Sequence, residues 1–308
     1  MIYTITLNPA LDRTLWIDKI RTDDANRIQK EEKFAGGKGI DVSRVLGHLG
    51  VPNHALGFLG GYVGMEVEGL LLQEGIYCDF TRIANDTRTN IILNVRETGQ
   101  QISFNARGPE VRPAELTAFF QKLEQLPAPE YVTISGSLPE NLSPVIYARS
   151  IEILKRKGAR VLLDSDGDNL RVGLTAEPAI IKPNLHELER LLNRTLTDLN
   201  EVLAAAEEIQ QKGVEIVLVS MGAKGILLVS AAEKLLAVPP KVHVVNTIGA
   251  GDSAVAGFVF AQIQKKSLKE ALAYAVAAGT ATTLQPGTAL ARPEHIRELL
   301  PKVEIRAL

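Results

Sequence analysis

The chain has 308 residues, 45% of them hydrophobic, enough to bury a full core in one large domain or a domain with an appendage. Its 34 basic and 36 acidic residues give a net charge of −2, with no basic block and few aromatics, which argues against nucleic acid or anionic membrane as a partner. One cysteine, Cys78, excludes intrachain disulfides and fits a reducing compartment.

Residues 2–7 read as a half-buried strand without the basic lead of a signal peptide, and no run approaches the ~20 apolar residues of a membrane helix, so the cytoplasm is the expected location. Asn8-Pro9 break this strand and place Asp12 just past its end. Residues 13–34 alternate weakly and are rich in charge, which suits a small exposed sheet. Ala35-Gly36-Gly37-Lys38-Gly39 then opens a helix marked by Val42, Val45, Leu46 and Leu49. It is not a P-loop, because glycine follows Lys38 where Ser or Thr is needed. A further cluster, Gly57-x-x-Gly60-Gly61-x-x-Gly64, precedes a helix through Val67, Leu70 and Leu71 and reads best as a permissive connection. Residues 86–106 hold an apolar run at Ile91–Leu93, a Thr98-Gly99 turn and Ile102-Ser103-Phe104, a hairpin that can pair with the 13–34 stretch as one small lid.

From Pro113 onward helix and strand alternate. Predicted strands at 131–134, 160–163, 179–181 and 215–219 end at Ser135-Gly136-Ser137, Asp164-Ser165-Asp166, Lys182-Pro183-Asn184 and Ser220-Met221-Gly222. Near-continuous apolar strands in this alternation predict a doubly wound α/β domain over 1–308, a parallel sheet with helices on both faces. Functional groups then belong at the carboxyl ends of the strands, where Asp12, Ser137, Asp164, Lys182, Asn184, Ser220 and Asp252 are expected.

The densest stretch is Asn246-Thr247-Ile248-Gly249-Ala250-Gly251-Asp252, between the β-branched run Val242–Val245 and a helix marked by Val255, Phe258 and Val259. Strand, glycine turn and helix predict an anion site, since the glycines expose backbone N–H groups and the helix N-terminus adds about half a positive charge. Asp252 would repel a bound phosphate, which favours phosphoryl transfer, where a carboxylate accepts a hydroxyl proton. Two other readings stand beside it: a dinucleotide fingerprint, which lacks its ribose acid ~20 residues on, and an early-turn acid that complements the helix dipole. Lys182, Asn184 and Glu187 have the composition of a phosphate and magnesium site and equally of a capping box, and both can hold together. The histidines at 48, 54, 186, 243 and 295 have no zinc spacing, and Gly136-Ser137-Leu138 lacks a hydrolase elbow.

Taken in order, Gly36-Gly37-Lys38-Gly39, Lys182-Pro183-Asn184-x-x-Glu187 and Gly249-Ala250-Gly251-Asp252 make the whole chain resemble the ribokinase-like (PfkB) carbohydrate kinases. Thr6–Asp12, Thr87-Arg88-Thr89-Asn90 and Ser135–Pro139 make it similar to their sugar-phosphate branch. The resemblance implies a β lid that often pairs with a second subunit's lid, ATP and Mg2+ as cofactors with a monovalent cation as an open addition, and a sugar phosphate as partner. The leading expectation is fructose 1-phosphate, with tagatose 6-phosphate or fructose 6-phosphate as alternatives. By position Asp252 is similar to the family's base and Gly249, Ala250 and Gly251 to its anion hole. Lys182, Asn184 and Glu187 match the nucleotide-phosphate and metal motif, with Ser220, Gly222, Gly225 and Gly251 on the nucleotide. Asp12, Gly37, Lys38, Asp41, Arg88, Asn90 and Ser137 fall at sugar-phosphate positions, and a basic residue near Arg27 is in some relatives offered across the dimer. Asp41 stands where the family usually has Asn, and Asp166 where Ser or Thr is commoner. A sensor of nucleotide or sugar phosphate is the expectation from another class, and the intact Asp252 argues against it.

Overall fold

The computed structural model describes residues 1–308. In chain order the elements are β1 (Ile2–Thr6), β2 (Ala10–Ile17), β3 (Lys30–Gly36), α1 (Lys38–His48), β4 (His54–Gly60), α2 (Gly61–Gln73), β5 (Tyr77–Cys78), β6 (Thr81–Ile83), β7 (Arg88–Val95) and β8 (Gln100–Phe104). There follow α3 (Pro113–Gln125), β9 (Tyr131–Ser135), α4 (Val145–Arg156), β10 (Arg160–Asp164), α5 (Gly167–Leu174), β11 (Ile180–Ile181), α6 (Leu185–Leu192), α7 (Leu199–Gln210), β12 (Ile216–Ser220), β13 (Ile226–Ser230), β14 (Lys234–Val238), α8 (Ala250–Ile263), α9 (Leu268–Thr283), α10 (Pro293–Leu299) and β15 (Glu304–Ala307).

The large sheet runs β15-β14-β13-β12-β11-β10-β9-β1-β4-β5 and is parallel from β12 to β5. Period-two alternation divides its side chains between two cores. Val161 and Leu163, or Val217 and Val219, join the apolar faces of α3 to α7, whereas Leu162, or Ile216 and Leu218, meet α1, α8, α9 and α10. The predicted α/β architecture with helices on both faces is therefore what the chain adopts. Beyond β12 the sheet turns antiparallel through β13, β14 and β15, an extension that the alternation of helix and strand had not signalled.

The helix that matters most is α8. Nearly every residue from Asp252 to Ala261 is buried, because the helix packs against α1 on one side and α9 on another. Gly257 makes the close approach to α9 feasible, since a Cβ there would come 2.5 Å from the Tyr274 carbonyl oxygen. An acid at the head of this helix is consequently carried into the interior.

A separate four-stranded sheet, β3-β2-β7-β8, stands against the end of the large one, with β2 and β7 parallel and the outer pairs antiparallel. Asp12 lies within β2, in register with Asn90 of β7, and so belongs to this small sheet rather than to the end of the first strand. The run Val242–Val245 is not a strand: residues 239–249 are irregular. Pro239 and Pro240 lack N–H donors, and the free edge of β14 is already taken by β15, so no ladder is available to those β-branched residues. No helix is long and apolar enough to cross a membrane.

Candidate active site

Five segments converge where the carboxyl ends of β1, β9, β10 and β11 face the small sheet. At the centre lies Asp164, the last residue of β10, with 1% of its side chain exposed. Its Oδ2 is 3.0 Å from the Lys182 Nζ, and its Oδ1 accepts from the Lys38 Nζ at 3.1 Å. Burial by itself would raise the Asp164 pKa, but the two ammonium groups hold it below the usual carboxylate value. The Asp164 charge in turn pushes the Lys38 ammonium above its ordinary value, with Asp252 and Glu187 acting in the same direction.

Lys38 is the first residue of α1, which begins at Gly37 with φ 120°. Its ammonium spans two carboxylates, since Glu187 Oε1 lies 3.6 Å away. Glu187 and Asn184 form a reciprocal cap at the start of α6: Asn184 Oδ1 accepts from the Glu187 N–H at 2.8 Å, and Glu187 Oε2 accepts from the Asn184 N–H at 2.8 Å. The cap leaves Glu187 Oε1 directed toward the lysine. The capping box is thus formed in full, with one carboxylate oxygen of Glu187 left over from it.

Asp252 occupies the first turn of α8 and is 7% exposed. Burial pushes its carboxyl up to about 7; the Asp164 charge adds to this, while Lys38 and Lys182 oppose it. The preceding turn is shaped by Gly249, at φ 74°, where a Cβ would come 2.6 Å from the Leu290 side chain. At Gly251 a Cβ would meet the Lys182 Nζ at 3.5 Å, so the lysine points at the helix start. Irregular residues in front of α8 are clamped to the end of α9: the Val245 N–H donates to the Thr283 carbonyl at 2.8 Å, the Ile248 N–H to Asn246 Oδ1 at 2.9 Å, and the Asn246 amide to the Gly287 carbonyl. Ser253 and Thr282 share a hydroxyl contact of 2.6 Å behind the turn. These contacts do for the turn what a strand was expected to do.

On the side of the small sheet, Asn90 Nδ2 donates to Asp12 Oδ1 at 2.8 Å, and the Ala106 N–H donates to Asn90 Oδ1 at 3.1 Å. Burial raises the Asp12 pKa, with the Asn90 hydrogen bond and the Arg88 and Arg44 charges opposing it. The Arg88 guanidinium donates to the carbonyls of Ala106 at 2.7 Å, Asn8 at 2.9 Å and Pro9 at 3.4 Å. Of its five N–H groups, that leaves one on each terminal nitrogen uncommitted. Ser137 accepts from Asn8 Nδ2 at 3.3 Å and borders the same space. Asp41, largely buried, is pushed well above the usual carboxylate range by desolvation and by the Asp252 charge, while Arg44, 3.5 Å away, pulls it down.

Ser220, Gly222 and Gly225 cluster beside Asn184: Asn184 and Ser220 form an isolated parallel bridge, and the Met221 N–H closes the loop on the Gly225 carbonyl at 2.8 Å. Arg27 is not brought into this company. It sits in the loop between β2 and β3, beyond Ile17, whereas Asp12 lies five residues back along β2, some ~17 Å at strand rise. Within one chain it cannot serve the site. Sequence reasoning placed Asp164 at a strand end without giving it a role, and its signal was that position alone. Arg44, which joins Asp41 to Glu74 at 3.0 Å, carried none, since a buried arginine on a helix face looks like a solvated one.

The chain matches the model of the pfkB family carbohydrate kinases over residues 5–295. It is 34% identical to 1-phosphofructokinase of Bacillus subtilis over 100% of both chains, and 36% identical to 1-phosphofructokinase of Borreliella burgdorferi over 99% of this chain and 98% of the other. Phosphofructokinase-2 from Escherichia coli, in a structure with potassium, superposes with a TM-score of 0.94 at 32% identity, covering 98% of each chain. By sequence and by fold, the chain belongs to the pfkB family of carbohydrate kinases.

Proposed function

We propose that this protein transfers a phosphoryl group from ATP to a ketohexose phosphate, fructose 1-phosphate before tagatose 6-phosphate or fructose 6-phosphate. The observation that carries the reading is Asp252, buried at a helix N-terminus with its carboxyl raised to about 7 and two lysines beside it. A base with that pKa is half ionised at neutral pH, near the optimum for taking a proton from a hydroxyl in the transition state. The preference for fructose 1-phosphate rests on the relatives named 1-phosphofructokinase.

In this reading the acceptor lies between the small sheet and α8, with Asp12, Asn90 and Ser137 fixing its hydroxyls and Arg88 and Gly37 facing its phosphate. Asp252 accepts the proton of the attacking hydroxyl. The N–H groups of Gly249 to Gly251, with the α8 dipole, face the charge that develops on the transferring group. Lys182 and Lys38 stand on the phosphate side of the same space, and Ser220, Gly222 and Gly225 form the wall for the nucleotide. Asn184 and Glu187 are the protein oxygens for magnesium, which would neutralise phosphate charge when it arrives with ATP. The donor set fits such an ion: Asn184 and Glu187 offer an amide and a carboxylate oxygen side by side, and magnesium at phosphates is commonly held by one or two protein oxygens and water.

We infer further that the small sheet closes over the sugar and pairs with its counterpart in a homodimer. The four-stranded sheet has open edges at β3 and β8, and Phe104 in β8 and Ile28 in the loop before β3 are exposed. Across such a pair Arg27 could reach the partner's sugar phosphate. The test is an ADP-release assay with the three ketohexose phosphates and with plain fructose, run with and without K+. Turnover highest on fructose 1-phosphate is expected, and faster turnover of plain fructose would overturn the reading.

A further inference from the structure

A substrate that already carries a phosphate needs fixed cations, and the basic residues around the sugar space are largely engaged. Lys38 lies between Asp164 and Glu187, Arg27 is at the far end of β2, and Arg88 holds three backbone carbonyls. One cation nearby is built differently. Arg107 follows Ala106, whose carbonyl accepts a hydrogen bond from the Arg88 guanidinium, and its side chain is 82% exposed.

Its backbone is held firmly all the same. Asn8 Nδ2 donates to the Arg107 carbonyl at 2.9 Å, and the same amide reaches Ser137 Oγ and the Leu138 carbonyl, both at 3.3 Å. Ala106, one residue before, is fixed by Arg88 and Asn90. Gly108, one residue after, lies over the Asn8 amide, where a Cβ would come 2.2 Å from Oδ1. Rigid backbone and a solvated side chain are a combination that packing does not require. The guanidinium's only ionic partner is Glu140, 3.2 Å away and itself exposed, on the loop that follows Ser137. Arg107 and Glu140 therefore form a surface pair across the corner where Arg88, Asn8 and Ser137 meet, of a kind that contributes under about 1 kcal/mol and opens readily.

We propose that Arg107 is a specificity residue for the phosphorylated acceptor: its guanidinium leaves Glu140 and pairs with the substrate's phosphate, while Arg88 supports the segment that carries it. This rests on the sugar-phosphate reading above. A carboxylate partner in the free enzyme keeps the arginine near the mouth, and a dianion bound bidentately replaces it.

The experiment compares Arg107→Ala, Arg107→Lys and Glu140→Gln with the unmodified enzyme, after thermal melts confirm that each folds. Arg107→Ala should raise KM for the preferred ketohexose phosphate about tenfold with KM for ATP and kcat within twofold, and Arg107→Lys should recover only part of it. Glu140→Gln, which removes the competitor, should lower the same KM about two- to threefold, a change that a structural role for Arg107 does not produce. Unchanged sugar-phosphate KM in Arg107→Ala, with the unmodified enzyme still preferring phosphorylated sugars, sinks this inference alone. A preference of the unmodified enzyme for plain fructose sinks it together with the reading on which it rests.

Discussion

If Asp252 is the base proposed above, its burial sets catalysis against stability, and the substitution Asp252→Asn measures both. Moving its pKa from 3.8 to about 7 makes ionisation in the folded protein roughly 4 kcal/mol harder than in the unfolded chain, at about 1.4 kcal/mol per pKa unit. Because the folded value lies above the unfolded one, the stability given by protonated Asp252 is whole below pH 3.8 and is lost as the pH rises to about 7. Asparagine cannot ionise and escapes this loss. Asp252→Asn should therefore melt higher than the unmodified protein at pH 8, with roughly 2 °C expected per kcal/mol in a chain of this size, and the gain should be smaller at pH 5. Turnover should fall at least ~100-fold, the usual scale for losing a general base. In the unmodified enzyme kcat/KM should climb about tenfold per pH unit below about 7 and level off above it. Differential scanning fluorimetry and initial rates across pH 5 to 9 read both quantities. A mutant that keeps near-normal turnover assigns the base elsewhere, and one that melts lower at pH 8 refutes the electrostatic argument.

Other substitutions separate neighbouring roles. Gly251→Ala should fold normally, because the added methyl meets only the Lys182 Nζ at 3.5 Å, yet lower kcat about tenfold or more by covering the N–H groups of the turn; equal losses in melting temperature and rate would contradict this. Asp164→Asn removes the charge that most raises Asp252 after burial, so the acidic limb of the pH–rate profile should move to lower pH, while two lysines left without their buried partner cost about 3 kcal/mol in denaturant melts. Arg88→Ala should raise KM for the sugar phosphate at least ~10-fold with little change for ATP, and an effect confined to ATP would place Arg88 elsewhere. Sedimentation should find a dimer that charge substitutions on Phe104 dissociate; a monomer at working concentration would remove the small sheet as an interface.

Periodicity and glycine turns made the two-faced sheet readable, because strands buried on both faces leave long apolar runs and each carboxyl end carries its polar residue in the open. The Asn184–Glu187 spacing likewise named its own cap. What failed was inference from composition where a partner was missing. Val242–Val245 has strand residues but no edge to join, since β15 takes it from sixty residues further on. The ion pairs of Lys38 could not be read either, because its glycine-rich surroundings are local, whereas Asp164 and Glu187 are more than a hundred residues away. Arg88 was legible as a cation at the start of a strand, but its three carbonyl acceptors lie on segments whose approach only the folded chain defines.

The part played by Asp164 shows in what the charges would do without it. Two ammonium groups near Asp252 would stabilise its ionised form and leave a weak base. Asp164 binds both lysines at about hydrogen-bond distance, so that their charge is largely matched before it reaches Asp252, and its own charge then adds to the rise. The lysines are held in place at the same time, so under the proposed function an arriving phosphate would meet oriented donors rather than mobile ones. Orientation of the cations and basicity of Asp252 thus come from one carboxylate that need touch neither substrate, which is why a shifted pH profile in Asp164→Asn, rather than a lost KM, is the signature to look for.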